Sequence, residues 1–321
     1  IVIVGPTAAG KSALAIEIAR SFNGEIVSCD SMQVYKHMNI GTAKPSDADL
    51  SLVRHHMIDV ADPDAKEPFS CASFTVMANE AISDIISRGK VPVLCGGTGL
   101  YIDSIVNATE FSDMTNDLSY REELFNLALE KGNMYVHGLL EQIDPESAFS
   151  IHPNNLKRVI RALEIYKFTG RTKTEWDAES HIQESPYEAT FLGITYMNRD
   201  KLYERIDKRV DLMMKEGLFE EASELYNKNI LREGTTASQA IGYKELFSVI
   251  LGETDLNSAV EEIKRETRRY AKRQLTWFKR NALVKWFYPD EVANKSNEST
   301  FEIIVNNVVD YLKSKGLCDI I

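Results

Sequence analysis

The chain has 321 residues, 44% of them apolar and 26% charged, the composition of an ordinary soluble globular protein with a sizeable core. It is longer than a single core usually grows, so a large domain with an insertion, or two domains, is expected, and no apolar run approaches the ~20 residues that cross a bilayer. A formal net charge of −11 argues on average against a nucleic-acid partner, because phosphate contacts supply most of that affinity.

The apolar run Ile1–Val4 predicts a strand, followed at once by Gly5-Pro6-Thr7-Ala8-Ala9-Gly10-Lys11-Ser12 and then by the helical pattern Ala13–Phe22. Strand, glycine-bounded loop and helix N-terminus in that order make a P-loop, the nucleotide- and ATP-binding motif, suited to a di- or triphosphate. Its glycines let backbone N–H groups turn toward phosphate oxygens, Lys11 adds a point charge, and Ser12 offers a hydroxyl to a bound Mg²⁺. All eight residues are candidate diphosphate ligands, and Ser12 is the candidate metal ligand.

Glu25–Cys29 predicts a second strand ending at Asp30, and Val91–Cys95 another ending at Gly96-Gly97, with a helical pattern over Ser70–Arg88 between them. Alternating strands and helices imply a parallel sheet, which binds ligands at the carboxyl ends of its strands, so the P-loop, Asp30 and Gly96–Gly99 should converge at one edge. The long aperiodic segment from Asp30 to Ser70 is read as substrate-contacting loops around a short strand, His56–Val60.

From about Ser112 to Pro186 strand signals give way to short helical patterns at Tyr120–Lys131, Met134–Ile143, Pro145–Phe149 and Asn155–Phe168. This predicts a small all-helical insertion, residues 112–186, within a core made of 1–111 and 187–321. A strand is expected at Thr190–Tyr196, helices at Arg199–Lys215, Phe219–Lys228, Ser238–Val249 and Leu256–Asn281, a last strand at Val284–Tyr288 and a closing helix at Phe301–Lys313. The fold class is therefore α/β, a P-loop NTPase-like parallel sheet flanked by helices with a helical insertion.

The cysteines Cys29, Cys71, Cys95 and Cys318 are widely spaced, with neither zinc-ligand nor disulfide spacing, and His137, His152 and His181 lack partners at ligand spacing. The His55-His56 pair is read as structural or as a loop contact. With a start at Ile1 inside a strand and no basic leader, the expectation is that a few residues precede it, that there is no signal peptide, and that the chain is cytoplasmic and monomeric. Positive charge is concentrated between Lys264 and Lys285: Lys264, Arg265, Arg268, Arg269, Lys272, Arg273, Lys279, Arg280 and Lys285 face a single acid, Glu266. Arg265, Arg268 and Lys272 recur at helical steps, as do Arg269, Arg273 and Arg280, beside a stripe of Tyr270, Gln274 and Trp277. Such a helix either tracks RNA phosphates or is a solvated surface helix whose aromatics pack on the core, and both readings can hold on different faces.

A set of ordered motifs extends the P-loop: Asp30-Ser31-Met32-Gln33-Val34-Tyr35, Gly41-Thr42-Ala43-Lys44-Pro45, His55-His56-Met57-Ile58-Asp59, Gly96-Gly97-Thr98-Gly99-Leu100-Tyr101, Arg158–Glu164, Ala240-Ile241-Gly242-Tyr243 and Thr267–Phe278. From Gly5 to about Arg280 the chain resembles the tRNA dimethylallyltransferases, in their shorter bacterial form without the zinc-finger tail of eukaryotic relatives. The resemblance implies transfer of a dimethylallyl group from its diphosphate to the exocyclic amine of the adenine 3′ of the anticodon, with Mg²⁺. Asp30 is suited to take the amine proton, general-base help worth roughly 10²–10⁴-fold, while Lys11 and the loop amides hold the charge that builds on the departing diphosphate. By resemblance Thr7 would hydrogen-bond the leaving oxygen, and Arg205 or Arg209 would close over the diphosphate. Four-residue spacing puts both arginines on one helix face, where a solvated charged face with Asp207 and Asp211 is the competing reading. The tRNA anticodon stem-loop would be met by Asp30, Ser31, Met32, Gln33 and Thr98, by Arg121 and by Lys157, Arg158, Val159, Ile160 and Arg161 of the insertion. Arg268, Lys272 and Arg273 of the basic helix complete that set. The adenine must leave its stack to react, and Ser31, Met32 and Gln33 are placed to line its pocket. Gly96, Gly97 and Gly99 equally suit a tight turn.

Three rivals remain on sequence alone. In a P-loop kinase or ATPase, Asp30 would hold Mg²⁺; in a prenyltransferase acting on free AMP, ADP or ATP, the insertion and basic helix would have no purpose; a non-catalytic RNA-binding module would not need a P-loop followed by Asp30.

Overall fold

The computed structural model describes residues 1–65, 67–107, 118–180, 185–232, 234–292 and 299–317, which leaves His181 and Cys318 outside the described residues. The chain divides into two compact units, residues 1–105 with 187–321 and residues 106–186. The larger unit is built on six strands: β1 (Val2–Val4), β2 (Gly24–Ser28), β3 (His55–His56), β4 (Val91–Cys95), β5 (Phe191–Ile194) and β6 (Lys285–Phe287). They lie in the order β3-β2-β4-β1-β5-β6, and every pairing is parallel. Because neighbouring β4 and β1 connect onward in opposite directions, a crevice opens above their carboxyl ends, where such sheets bind ligands.

Central strands β1 and β5 are apolar and buried throughout, as a sheet covered on both faces requires. Helix α1 (Lys11–Ser21) lays Leu14, Ile16 and Ile18 into the same cluster as Ile3, Ile26, Val93, Leu192 and Ile194. Then come α2 (Asp47–Leu52), α3 (Cys71–Ser87) and α4 (Gly99–Val106), and Phe74 of α3 stacks on Tyr101 of α4 at 3.8 Å between ring centroids. The smaller unit holds α5 (Leu118–Lys131), α6 (Asn133–Ile143), α7 (Pro145–Ser150), α8 (Leu156–Thr169) and α9 (Lys173–Ser180) around a core of Leu124, Val136, Leu140, Val159, Ile160 and Leu163. In the larger unit follow α10 (Arg199–Lys215), α11 (Leu218–Asn227), α12 (Lys244–Ile250), α13 (Leu256–Phe278) and α14 (Thr300–Ser314), whose Ile304, Val308 and Leu312 join the main core. Among the described residues, no helix is long and apolar enough to cross a membrane.

Three expectations need correction. The strand expected at His56–Val60 is only His55–His56, because Met57 and Asp59 adopt positive φ (64° and 56°) and turn the chain out of the sheet; it returns through a bridge between Tyr35 and Ala61. The helix expected over Ser238–Val249 is broken by Gly242 at φ 99° into a 3₁₀ turn, Ala237–Gln239, and α12. Helix α2, begun by a Ser46–Asp49 capping box, lies in the segment read as loops.

Three thiols are free: Cys29 and Cys95 are buried, Cys71 half-buried. The His55-His56 pair is structural on its second member, His56 Nε2 lying 2.8 Å from Glu25 Oε2. Glu25 is 2% exposed and also accepts from Arg88 at 2.5 and 2.7 Å and from Lys90 at 2.8 Å. Hydrogen bonds from Arg88 hold its carboxyl far below the ordinary range, against the opposing effect of burial. A carboxylate with a lowered pKa stabilises the fold above its unfolded value and stops doing so as pH falls. Glu25→Gln is therefore expected to cost about 2–3 kcal/mol at pH 7. The deficit relative to wild type should shrink below about pH 4.5, as read from urea unfolding midpoints across that range.

Candidate active site

Three loops meet above β1, β2 and β4. In the loop after β1, Gly5 stands at φ 147°, and a Cβ there would lie 2.2 Å from the Ile194 carbonyl oxygen, so only glycine lets the chain pass β5. The amides of Gly10, Lys11 and Ser12 have no acceptor among the described residues, and they open α1 at its positive end. Lys11 Nζ donates to Pro6 O at 2.7 Å, and Ser12 is exposed beside it. Burial pushes Lys11 down to about 8, with Arg209 adding to the fall and Asp30 opposing it. The arrangement is an anion cradle whose own charges repel one another until an anion arrives.

The Thr7 amide does not face that cradle. It donates to Gln274 Oε1 at 2.8 Å, while Gln274 Nε2 donates to Gly97 O at 3.1 Å. Gln274 is 4% exposed and lies on α13 between Tyr270 and Trp277, the stripe legible in the sequence. The same helix explains the glycines after β4: a Cβ on Gly97 would lie 2.0 Å from Gln274 Nε2, and one on Gly99 2.1 Å from Trp277 Cδ1. Trp277 Nε1 in turn donates to Asp103 at 2.9 Å. Thr98 faces the site, its Oγ1 accepting from the Ser31 amide at 3.0 Å.

Asp30 follows β2, and its Oδ1 accepts from the amides of Met32 (2.9 Å) and Gln33 (3.4 Å), which turns the chain and aims the carboxylate. Its other oxygen has no partner among the described residues. Gln33 is pinned in turn, accepting from Ser28 Oγ at 2.9 Å and donating to the carbonyls of Thr42 and Ala43 at 3.2 and 3.0 Å. Asp30, Thr7, Thr42, Arg209 and Tyr270 line both a cavity of about 80 Å³, which includes Lys11 and Ser12, and one of about 270 Å³, which includes Met32, Val210, Met213 and Ile241. A third, of about 380 Å³, is formed by Gly10, Lys11, Ser12, Arg205, Lys208 and Arg209. Asp30 thus sits where a space bordered by Lys11 and Ser12 meets a mixed, largely apolar one. Burial lowers the basicity of Arg209, with Asp30 opposing, and drives Tyr270 up to about 12. Arg205 Nε donates to Ala8 O at 2.9 Å, and its guanidinium lies over the Tyr196 ring.

Other candidate residues fare differently. Val159 and Ile160 are 0% and 1% exposed in the core of the helical unit, so their side chains offer nothing to a partner, whereas Lys157 and Arg158 are exposed and Arg161 half-exposed on α8. Arg121 is engaged by Glu164 through two bonds of 2.7 and 2.8 Å, a brace within that unit. His137 bonds the carbonyls of Ala148 and Ile151, and His152 accepts from the Asn154 amide. On α13, Arg268 pairs with Asp207 at 2.5 Å and Lys264 with Asp211 at 2.8 Å, so two of these cations knit α13 to α10, while Arg265 and Arg269 pair with Glu262 and Glu266 of their own helix. Lys272 and Arg273 form no ion pair among the described residues, and Arg273 borders the larger cavity. Tyr270, Thr42 and Lys208 were missed as site residues; for Tyr270, the stripe with Gln274 and Trp277 was the available signal.

Fold and site define an α/β protein in which Asp30, with one carboxylate oxygen unpartnered among the described residues, shares a cavity with Lys11, Ser12 and Arg209. The family model described as IPP transferase matches residues 33–281. A tRNA dimethylallyltransferase of Caldanaerobacter subterraneus subsp. tengcongensis is 46% identical over 316 residues, 98% of each chain, and one of Acetivibrio thermocellus is 47% identical over 317 residues, 99% of this chain and 98% of that one. Among solved structures, the full-length tRNA isopentenylpyrophosphate transferase of Bacillus halodurans is 43% identical with a TM-score of 0.69, covering 98% of this chain and 97% of that one. A eukaryotic dimethylallyltransferase acting on tRNA is 28% identical with a TM-score of 0.78, covering 98% and 79%. The chain belongs to the IPP transferase family, and it is an enzyme, a prenyltransferase.

The depressed Lys11 sets a test of the cradle. Above pH 8 the free lysine loses its proton, and a bound anion restores it. Calorimetric titration of inorganic diphosphate at pH 9, in buffers of different ionisation enthalpy, should show uptake of a proton. Affinity should fall about tenfold per pH unit above the Lys11 value. Lys11→Arg should abolish both effects.

Proposed function

We propose that this enzyme transfers a dimethylallyl group from dimethylallyl diphosphate to the exocyclic amine of the adenine 3′ of the anticodon in tRNA, releasing diphosphate. The observation that carries the reading is the position of Asp30 at the junction of the two cavities, one bordered by Lys11 and Ser12, the other by Met32, Val210, Met213 and Ile241. With the diphosphate on the amides of Gly10, Lys11 and Ser12, its allylic carbon lies toward the junction. As the carbon–oxygen bond breaks, charge builds on the diphosphate against Lys11, Arg205 and Arg209. The adenine nitrogen, its lone pair delocalised into the ring, forms the new carbon–nitrogen bond only as it gives up a proton, and the unpartnered oxygen of Asp30 accepts it. Thr7 contributes its hydroxyl to the leaving oxygen, since its amide is committed to Gln274.

Mg²⁺ fits as a substrate-carried ion. No cluster of three His, Cys, Asp or Glu exists among the described residues to cage it, so Ser12, the diphosphate and water would be its ligands, and it would neutralise leaving-group charge. Asp30, whose Oδ1 is occupied by backbone amides, acts on the nucleophile instead. The tRNA is met by Ser31, Met32, Gln33 and Thr98 around the extruded base, by Lys272 and Arg273 of α13, and by Lys157, Arg158 and Arg161 of the helical unit. We place the reaction in the cytoplasm and assign it to a monomer.

Labelled dimethylallyl diphosphate incubated with Mg²⁺ and either unmodified tRNA or free AMP decides the acceptor: label should enter tRNA alone, and label in AMP would sink the tRNA reading. Asp30→Ala should abolish transfer while tRNA binding stays within a few-fold; parallel loss of both would contradict the base assignment. Replacing Lys272 and Arg273 with Ala should weaken tRNA binding and reduce the slope of log K against log salt by about one per phosphate contact. An unchanged slope would remove that helix from the interface.

A further inference from the structure

Outside the anion cradle, Glu221 on α11 is a carboxylate engaged by four donor groups. Its Oε1 accepts from the amides of Ile40 and Gly41 at 3.0 and 3.3 Å and from the Tyr243 hydroxyl at 2.6 Å; its Oε2 accepts from the amides of Asn39 and Ile40 at 3.0 Å each. Three consecutive N–H groups turned onto one carboxylate form an anion nest, filled here by the chain's own side chain. Gly41 lies flat on the Tyr243 ring, where a Cβ would come within 2.4 Å of Cε2. Lys44 braces the same loop, donating to Tyr35 O at 2.7 Å and Asn39 Oδ1 at 3.0 Å.

This loop is a wall of the site. Gly41 and Thr42 line the larger cavity with Asp30 and Met32, and so do Ala240, Ile241 and Gly242, the residues that lead into Tyr243. From the wall a bonded path continues: the carbonyls of Thr42 and Ala43 hold Gln33 Nε2, and the Gln33 amide reaches Asp30 Oδ1. We propose that Glu221 is a positioning residue for the acceptor side of the reaction: by clamping the 39–41 loop and Tyr243 together, it keeps the cavity wall, and through Gln33 the Asp30 carboxylate, in register with the incoming base. This rests on the reading of the larger cavity as the acceptor pocket.

The chemistry is specific to a carboxylate. Four donors converge on Glu221, and a carboxylate has lone pairs for all of them; a carboxamide of the same shape has one acceptor oxygen and points two further donors at donors. Glu221→Gln should therefore slow single-turnover transfer about 10–100-fold, the scale of a misplacement near 1 Å. The Kd for dimethylallyl diphosphate should stay within about twofold, because the loop after β1 is braced separately by Gln274. Tyr243→Phe removes one donor, leaves the nest intact and should slow transfer about 2–5-fold with only a modest fall in thermal midpoint, the protein remaining folded at the assay temperature. Transfer by Glu221→Gln within twofold of wild type overturns the proposal, as does a loss of diphosphate affinity in step with the rate, which marks a merely structural role. If Glu221→Gln does not fold, Tyr243→Phe decides, and an unchanged rate overturns the proposal. Retained transfer in Asp30→Ala refutes the base assignment separately, so the two failures read out in different variants.

Discussion

The side-chain amide of Gln274 joins parts of the chain 267 and 177 residues apart, taking the Thr7 N–H with its oxygen and giving its own N–H to Gly97. Buried polar groups persist only when paired, so these bonds hold the loop after β1, the loop after β4 and helix α13 to one another or leave several orphans. Gly97 and Gly99 follow from this constraint, since α13 approaches too closely for side chains there, whereas at Gly96 a Cβ would lie 2.1 Å from the Cys29 carbonyl oxygen. So does the division of the first loop: Thr7 N–H is spent on structure, and the amides from Gly10 onward are left for an anion.

Charge is distributed by the same logic. The chain is acidic overall, yet Lys11, Arg205, Lys208 and Arg209 border the cavity at the head of α1, where burial, with a smaller contribution from neighbouring arginines, lowers the basicity of Lys11 and Arg209. Elsewhere several cations are neutralised: Arg88 and Lys90 on Glu25, Arg268 on Asp207, Lys264 on Asp211. The basic segment of α13 thus includes a seam to α10, through Lys264 and Arg268, and two cations without an ion pair among the described residues, Lys272 and Arg273, of which Arg273 borders the larger cavity.

Much of this was legible in order along the chain. The P-loop, the strand ending at Asp30 and the Gly96–Gly99 turn were placed correctly, because each pairs a short apolar run with a turn signal, and a parallel sheet brings all such ends to one edge. For Val159, Ile160 and Arg121 the motif did not say which side chains face inward: the first two are buried in the helical unit, and Arg121 has a buried partner 43 positions away. The brief His55–His56 strand and the break at Gly242 depend on positive φ values that no local pattern specified.

What the sequence by itself determined was the cradle, the carboxylate and the family, since spacing along a strand–loop–helix is a local property and the ordered motifs are numerous. Tertiary structure alone decided which cations are free, why the turn after β4 must be glycine, and how Glu221 and Gln274 brace the two sides of the site. Those facts are contacts between residues distant in sequence, by 181 positions for Glu221 and Ile40 and 177 for Gln274 and Gly97, and local pattern carries no record of them.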